Sequence, residues 1–520
     1  MAKPPVFARE ATGLVREVGA WPSFMATVGL VTGGVPVLYV ATMYTAPGAN
    51  WPLAFLIALF PTFLMAGLFT IVGISMPRSG GDYVFTTRGL NPYLGFMNYW
   101  GIGLGFIFTA GVFLFFAGTY PGYFLSGLGA FDGNAGLTSF GTYLVAPGPS
   151  SGVGVVILAA SVLLAVVRPR VTWGAIFWGG IISLVFTVAM FVALAGSNQS
   201  SFASAYNSFI GNSTAYQGVL QTGGVTPPSS MMLATAAALP FAWFSYTWYN
   251  LPITWSGEMK NVKRSIPIAI LVAISFIAAY YILWAILVSH AFGQAFLDNW
   301  SSLASSGSAP IPGIGGFVPF FALLVYHNPV LYCVMFLALW LPMLYGTPAF
   351  VISQTRYVFA WAFDRILPDR FASVNERFHT PILATLLVSF GMIVGMVLTA
   401  FLPGEFSTAL YAIFTFGFII PAIAAIVFPF RKKQIYETAF IAKKKFILPL
   451  ISWLGLGSVI YLFFSCYLAY QSGSLPIDSF SMSLYAAIYG SGALMLIYSY
   501  LSNRRRGLSL DLVFKEIPPE

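Results

Sequence analysis

Near the start of the chain, Gly29-Leu30-Val31-Thr32-Gly33-Gly34-Val35-Pro36 interrupts an apolar stretch long enough to cross a membrane. Two adjacent glycines and a proline break helical hydrogen bonding. Open backbone at membrane depth survives only where it is buried in protein or lines a cavity. A second interruption, Phe244-Ser245-Tyr246-Thr247-Trp248-Tyr249-Asn250, stands between Pro240 and Pro252 in the sixth apolar stretch. The first and sixth stretches are corresponding members of two five-helix halves. Breaks at corresponding positions point to a substrate site inside a helical bundle. The competing reading is that Gly29 and Gly33 form a small-residue packing face, of the kind Gly391 and Gly395 also offer.

Composition sets the solvent. Of 520 residues, 58% are hydrophobic, 17% aromatic and only 8% charged, with a mean hydropathy of +0.82. A soluble surface needs roughly a quarter charged residues, so the chain reads as an all-α polytopic membrane protein. Three histidines and two cysteines, Cys333 and Cys466, form no cluster. No metal, cofactor or enzyme chemistry is expected, and the net charge of +9 reflects topology and not nucleic acid.

Twelve spans are expected: Trp21–Tyr44, Pro52–Ser75, Leu94–Ala117, Gly152–Val167, Val171–Leu194, Met231–Trp255, Pro267–His290, Pro329–Ile352, Pro381–Leu402, Phe406–Phe428, Phe446–Tyr470 and Ser479–Leu501. With the N-terminus inside, all 24 Lys and Arg fall on the inner side, which the positive-inside rule demands of a correct count. The expected location is the cell membrane with both termini cytoplasmic. No cleavable signal pattern precedes the first span. The basic runs Arg431–Lys433, Lys443–Lys445 and Arg504–Arg506 are expected to touch anionic lipid. The outer loops are rich in Gly, Ser, Asn and Pro, and hold three glycosylation acceptors at Asn198, Asn212 and Asn299.

The breaks suggest a chemistry. A half-helix that starts at a break offers N–H groups to a carboxylate, and one that ends there offers carbonyls to an ammonium group. A zwitterionic amino acid suits both. Thr32, Gly33, Gly34, Val35, Phe244, Ser245, Tyr246, Thr247, Trp248 and Asn250 are the candidate substrate-binding residues. No charged residue lies deep inside a span, so the substrate is expected to be net neutral.

Motifs at the inner ends carry a family resemblance. Met76-Pro77-Arg78-Ser79-Gly80-Gly81-Asp82-Tyr83 resembles the PRSGGEY signature of the amino acid–polyamine–organocation transporters. Glu258-Met259-Lys260-Asn261-Val262-Lys263-Arg264-Ser265-Ile266-Pro267 is similar to their segment after helix 6. Arg356 through Pro368, with Ala362, Asp364 and Leu367, resembles SRxxYAxARDGxLP, and Thr380-Pro381 the opening of helix 9. The resemblance implies two inverted five-helix repeats, a site between helices 1, 3, 6 and 8, and alternating access. The segments are then 1–20, a cytoplasmic start; 21–195, the first repeat; 196–230, an outer loop; 231–430, the second repeat, with outer loop 291–328; 431–445, a basic inner loop; 446–501, two further helices; and 502–520, a cytoplasmic tail.

The chain departs from the family at several places. Thr32-Gly33-Gly34 replaces Gly-Ser-Gly, and Thr247 or Trp248 stands at the small glycine of helix 6. Val262 replaces the proline of KNP, and Arg365 the glycine of RDG. Helix 8 offers Tyr345 and Thr347 where a sodium site needs a Ser-Thr pair, and helix 5 holds no basic residue. Asp82, Glu258, Arg356 and Asp364 are the inner-face gate or coupling candidates, with Asp364 placed beside Arg356 and Arg365.

Two other patterns are discounted. Gly148-Pro149-Ser150-Ser151-Gly152 matches a nucleophile elbow in letters only, and Gly101-Ile102-Gly103-Leu104-Gly105 reads as close helix packing. The expected function is secondary-active transport of amino acids, net-neutral zwitterionic ones, by alternating access. The alternative is a receptor, sensor or surface-attachment protein that keeps the fold without net transport. No nucleic acid partner is expected, and the oligomeric state stays open.

Overall fold

A computed structural model describes residues 7, 13–166, 169–437, 445–471 and 477–518. Lys3, Arg9, Arg168, Lys443 and Lys444 lie outside the described residues, as do parts of segments 1–20, 431–445 and 502–520. Among the described residues, 11 helices are long and apolar enough to cross a membrane. The shorter apolar helix Met231–Ser245 supplies the sixth position, so the protein is an all-α bundle of about twelve spans. The described β structure is one small antiparallel pairing of Lys445–Phe446 with Leu448–Pro449.

Some boundaries differ from expectation. The third span runs over Pro92–Phe131, far beyond Ala117. Asn91 caps it by accepting from Tyr93 and Leu94 N–H, Pro92 opens it, and Pro121 is tolerated inside. The fourth covers Pro147–Val166, taking in the Pro/Gly stretch that the sequence suggests is loop. The uncharged-face loops fold into short helices, Ala135–Val145, Gln199–Ile210, Ala215–Thr222, Gln294–Ser305 and Val318–Tyr326. Asparagines start several of them: Asn134 accepts from Leu137 N–H, and Asn198 and Ser201 form a reciprocal capping box.

Small residues let the spans approach closely. A Cβ on Gly111 would sit 2.3 Å from the Met392 carbonyl oxygen, and one on Gly395 2.4 Å from that of Phe108. The third and ninth spans therefore meet backbone to backbone. Gly29 does similar work, with Gly346 against its backbone and the Tyr345 ring over it.

Described residues near both ends of the sequence converge on the basic face. Val18 pairs with Met259 in an isolated bridge, and the Phe7 carbonyl accepts from Arg365. Arg78 Nε donates to the Pro518 carbonyl at 2.7 Å, and the Arg88 guanidinium lies over Phe514.

Candidate functional site

The first span is two helices, Ala20–Thr32 and Val35–Thr42, joined at Gly33–Gly34. Gly33 ends the first half in an extended conformation, and its N–H still reaches the Gly29 carbonyl. Gly34 has φ +84, which L side chains rarely adopt. The first hydrogen bond of the second half runs from Leu38 N–H to the Gly34 carbonyl. The N–H groups of Gly34, Val35 and Val37 therefore stand at an open helix N-terminus, and Pro36 has none to lose.

The sixth span unwinds at Tyr246–Asn250 and resumes as a 3-10 helix over Leu251–Glu258. Pro240 stays inside the first half. The break is made instead at Trp248, an aromatic residue held at φ 78, one of the two positions, with Thr247, at which the family resemblance puts a small glycine. Tyr281 of the seventh span ties the two breaks together. Its hydroxyl faces the Val31 carbonyl at 2.6 Å and the Ser245 carbonyl at 3.0 Å.

Beside the breaks lies a cavity of about 280 Å³. Gly33, Gly34, Val35, Phe244 and Trp248 line it, together with Phe113 of the third span, Met343 of the eighth and Tyr411 of the tenth. It runs from the break to exposed Thr45 and Ala237, so it opens toward the uncharged face. Its polar groups are hydroxyls such as Thr42, Thr109 and Thr408, and its described lining holds no charged side chain.

The other candidate residues serve neighbouring roles and do not line this cavity. The Thr32 and Ser245 hydroxyls donate back to Val28 and Phe241 of their own helices. Tyr246 reaches the Phe55 carbonyl, and the buried Thr247 hydroxyl has no partner. Asn250 turns away toward Asp82. Phe113, Met343 and Tyr411 went unflagged in the sequence, because an apolar side chain in an apolar span gives no signal of the face it presents.

The basic end is closed by three buried polar clusters. Arg356 pairs with Glu258 through Nε at 2.5 Å and Nη2 at 2.9 Å. Arg88 grips Asp364 with two bonds of 2.6 Å, and the Tyr83 hydroxyl adds a third at 2.7 Å. The placement of Asp364 beside Arg356 and Arg365 is thus corrected. Its partners come from the helix Gly81–Gly89, while Arg365 bonds Asp369 and Phe7. Asp82 accepts from Tyr357 at 2.8 Å and Asn250 at 3.1 Å. Burial pushes its pKa up to about 6, with those hydrogen bonds opposing the rise.

Among the acceptor asparagines, Asn198 and Asn212 are exposed. Asn299 is not. Its amide nitrogen donates to the Ala295 carbonyl and its oxygen accepts from Val225 N–H, so the glycan reading of this site fails on access.

A family model described as amino acid permease matches residues 18–492. The human protein named cationic amino acid transporter 4 is 25% identical over 387 residues, covering 72% of this chain and 52% of the relative. The chain thus spans about half the length of that curated relative.

Proposed function

Because this chain belongs to the amino acid permease family, we propose that it is a secondary-active transporter of net-neutral amino acids that works by alternating access. The observation that carries this reading is the cavity at the Gly33–Gly34 break, where open N–H groups meet a wall of hydroxyls and aromatic rings without a carboxylate. The substrate carboxylate would sit on the N–H groups of the second half-helix. Its side chain would lie among Phe113, Phe244 and Trp248. The shape supports a state open at the uncharged face, with Glu258–Arg356, Arg88–Asp364 and Asp82–Tyr357 sealing the basic face.

The human relative is named for cationic substrates, but this wall argues differently. An unpaired cation at membrane depth costs roughly 2.5–3.5 kcal/mol on insertion scales. Cation–π contact with Phe244 or Trp248 returns only about 0.5–2 kcal/mol. Uptake of labelled neutral amino acid into proteoliposomes, with counter-substrate accumulation, is expected. Saturable binding without accumulation would make the protein a receptor.

The basic face is assigned to the cytoplasm of a cell-membrane protein, touching anionic lipid. On that face Arg505 is exposed. With the native Cys333 and Cys466 replaced by serine, an impermeant thiol reagent outside the cell should label Ser306→Cys and spare Arg505→Cys; the reverse pattern inverts the topology.

A further inference from the structure

On the face without Lys or Arg, the helix Gln294–Ser305 works as a clasp over both broken spans. It receives the chain that leaves the first span: Tyr44 N–H donates to Ser301 Oγ, and Gly48 N–H to Asp298 Oδ2 at 2.9 Å. Gln294 donates to the Ala49 carbonyl at 2.7 Å. It also holds the chain that enters the sixth span, through Ser302 on the Gly223 carbonyl and Asn299 on Val225 N–H. Val35, Leu38, Thr42 and Thr45 of the clasped half line the cavity. Seating or release of this helix therefore bears on the cavity wall.

Asp298 sits at the centre of the contact and is buried. Its second oxygen, Oδ1, has no hydrogen-bond partner. The Tyr39 hydroxyl pairs with Ser289 and feels the Asp298 charge through space. The contact between the clasp and the outer half of the first span thus holds one carboxylate oxygen with no partner among the described residues. Buried groups of this kind cost free energy unless something joins them. A proton on Oδ1 removes the charge that makes this burial costly.

We propose that Asp298 is a proton-binding latch: a proton taken from water on the uncharged face lands on Oδ1 and seats the clasp, and its loss releases the outer half of the first span. No cation stands by to hold the charged form. The titratable groups on the elements packed around the clasp are Tyr39 and Tyr44 from the first span, Tyr280, Tyr281 and His290 from the seventh, and Tyr206, Tyr216 and Tyr326 from the loop helices; these described elements contain no Lys or Arg. Burial pushes the Asp298 carboxyl up to about 7, against the lowering effect of Gly48 N–H. Proton binding and clasp seating must then favour each other, by reciprocity of linked equilibria.

The proposal uses the reading of the first span's outer half as a moving wall, but its test does not depend on transport. Hydrogen–deuterium exchange, corrected for intrinsic rates, is followed on the full chain in nanodiscs across the neutral pH range. Residues 43–50 and 294–305 are expected to be protected in acid and to exchange several-fold faster above a midpoint near 7. Asp298→Asn should stay protected throughout. Should that variant fail to fold, Ser289→Ala should still fold and shift the midpoint. An unchanged midpoint in both variants, or no transition in the wild type, overturns the latch. Protection restored by sodium at alkaline pH would mark a metal site and overturn it as well.

Discussion

The Tyr281 hydroxyl lies 2.6 Å from the carbonyl of Val31, at the end of the first half-helix, and also reaches Ser245 at the other break. One side chain thus answers for carbonyls that two interrupted helices leave open. Tyr281→Phe keeps the ring and removes that partner. A buried group left unsatisfied costs about 1–3 kcal/mol, so the variant should melt lower and bind substrate more weakly. Equal melting and equal affinity would mean that the hydroxyl does not couple the breaks.

The closed basic end makes a different demand. Arg88 and Asp364 are both fully buried, and breaking such a pair from one side costs about 3–5 kcal/mol. Arg88→Ala should therefore be severely destabilised. The double variant Arg88→Met with Asp364→Leu should lose less than the single one, because no charge stays uncompensated. Measured melting temperatures decide the order, and a double variant worse than the single contradicts a simple ion-pair seal.

Gly34 isolates the backbone contribution at the break. Alanine at φ +84 is strained by roughly 1–3 kcal/mol, and its Cβ would press on Met343 at 3.2 Å. Gly34→Ala should insert normally yet lose the thermal stabilisation that substrate gives the wild type. Full retention of that stabilisation would put the carboxylate elsewhere.

Asp82 provides a pH signature. Its folded-state pKa near 6 exceeds the unfolded value of about 4, so the folded protein binds that proton more tightly. The resulting stability is complete below about pH 4 and is lost as pH rises through 6. The difference in melting temperature between wild type and Asp82→Asn should change across that window and stay flat above it. A difference independent of pH would show that Asp82 does not titrate there.

Much of the bundle was legible because a hydrocarbon solvent leaves few options. Apolar length and the one-sided placement of bases gave the spans, and Gly33-Gly34-Val35-Pro36 gave the first break, since no other residue pattern tolerates φ +84 so readily. The second break was located by its prolines, but Pro240 is absorbed in the helix and Trp248 takes the left-handed turn. Nothing in a tryptophan announces that. The partners of Asp364 were invisible for another reason: Arg88 and Tyr83 are far away in sequence, and only folding brings the helix Gly81–Gly89 under the eighth span. Burial of Asn299 was equally hidden, because an acceptor motif reports residue types and not access.

The cavity proposed to take a zwitterion offers no charge to a second cationic group. Competition against uptake of labelled leucine in proteoliposomes tests this most directly. Alanine, leucine or phenylalanine should compete at concentrations where arginine, lysine and putrescine have little effect. Stronger competition by arginine, lysine or putrescine would contradict it.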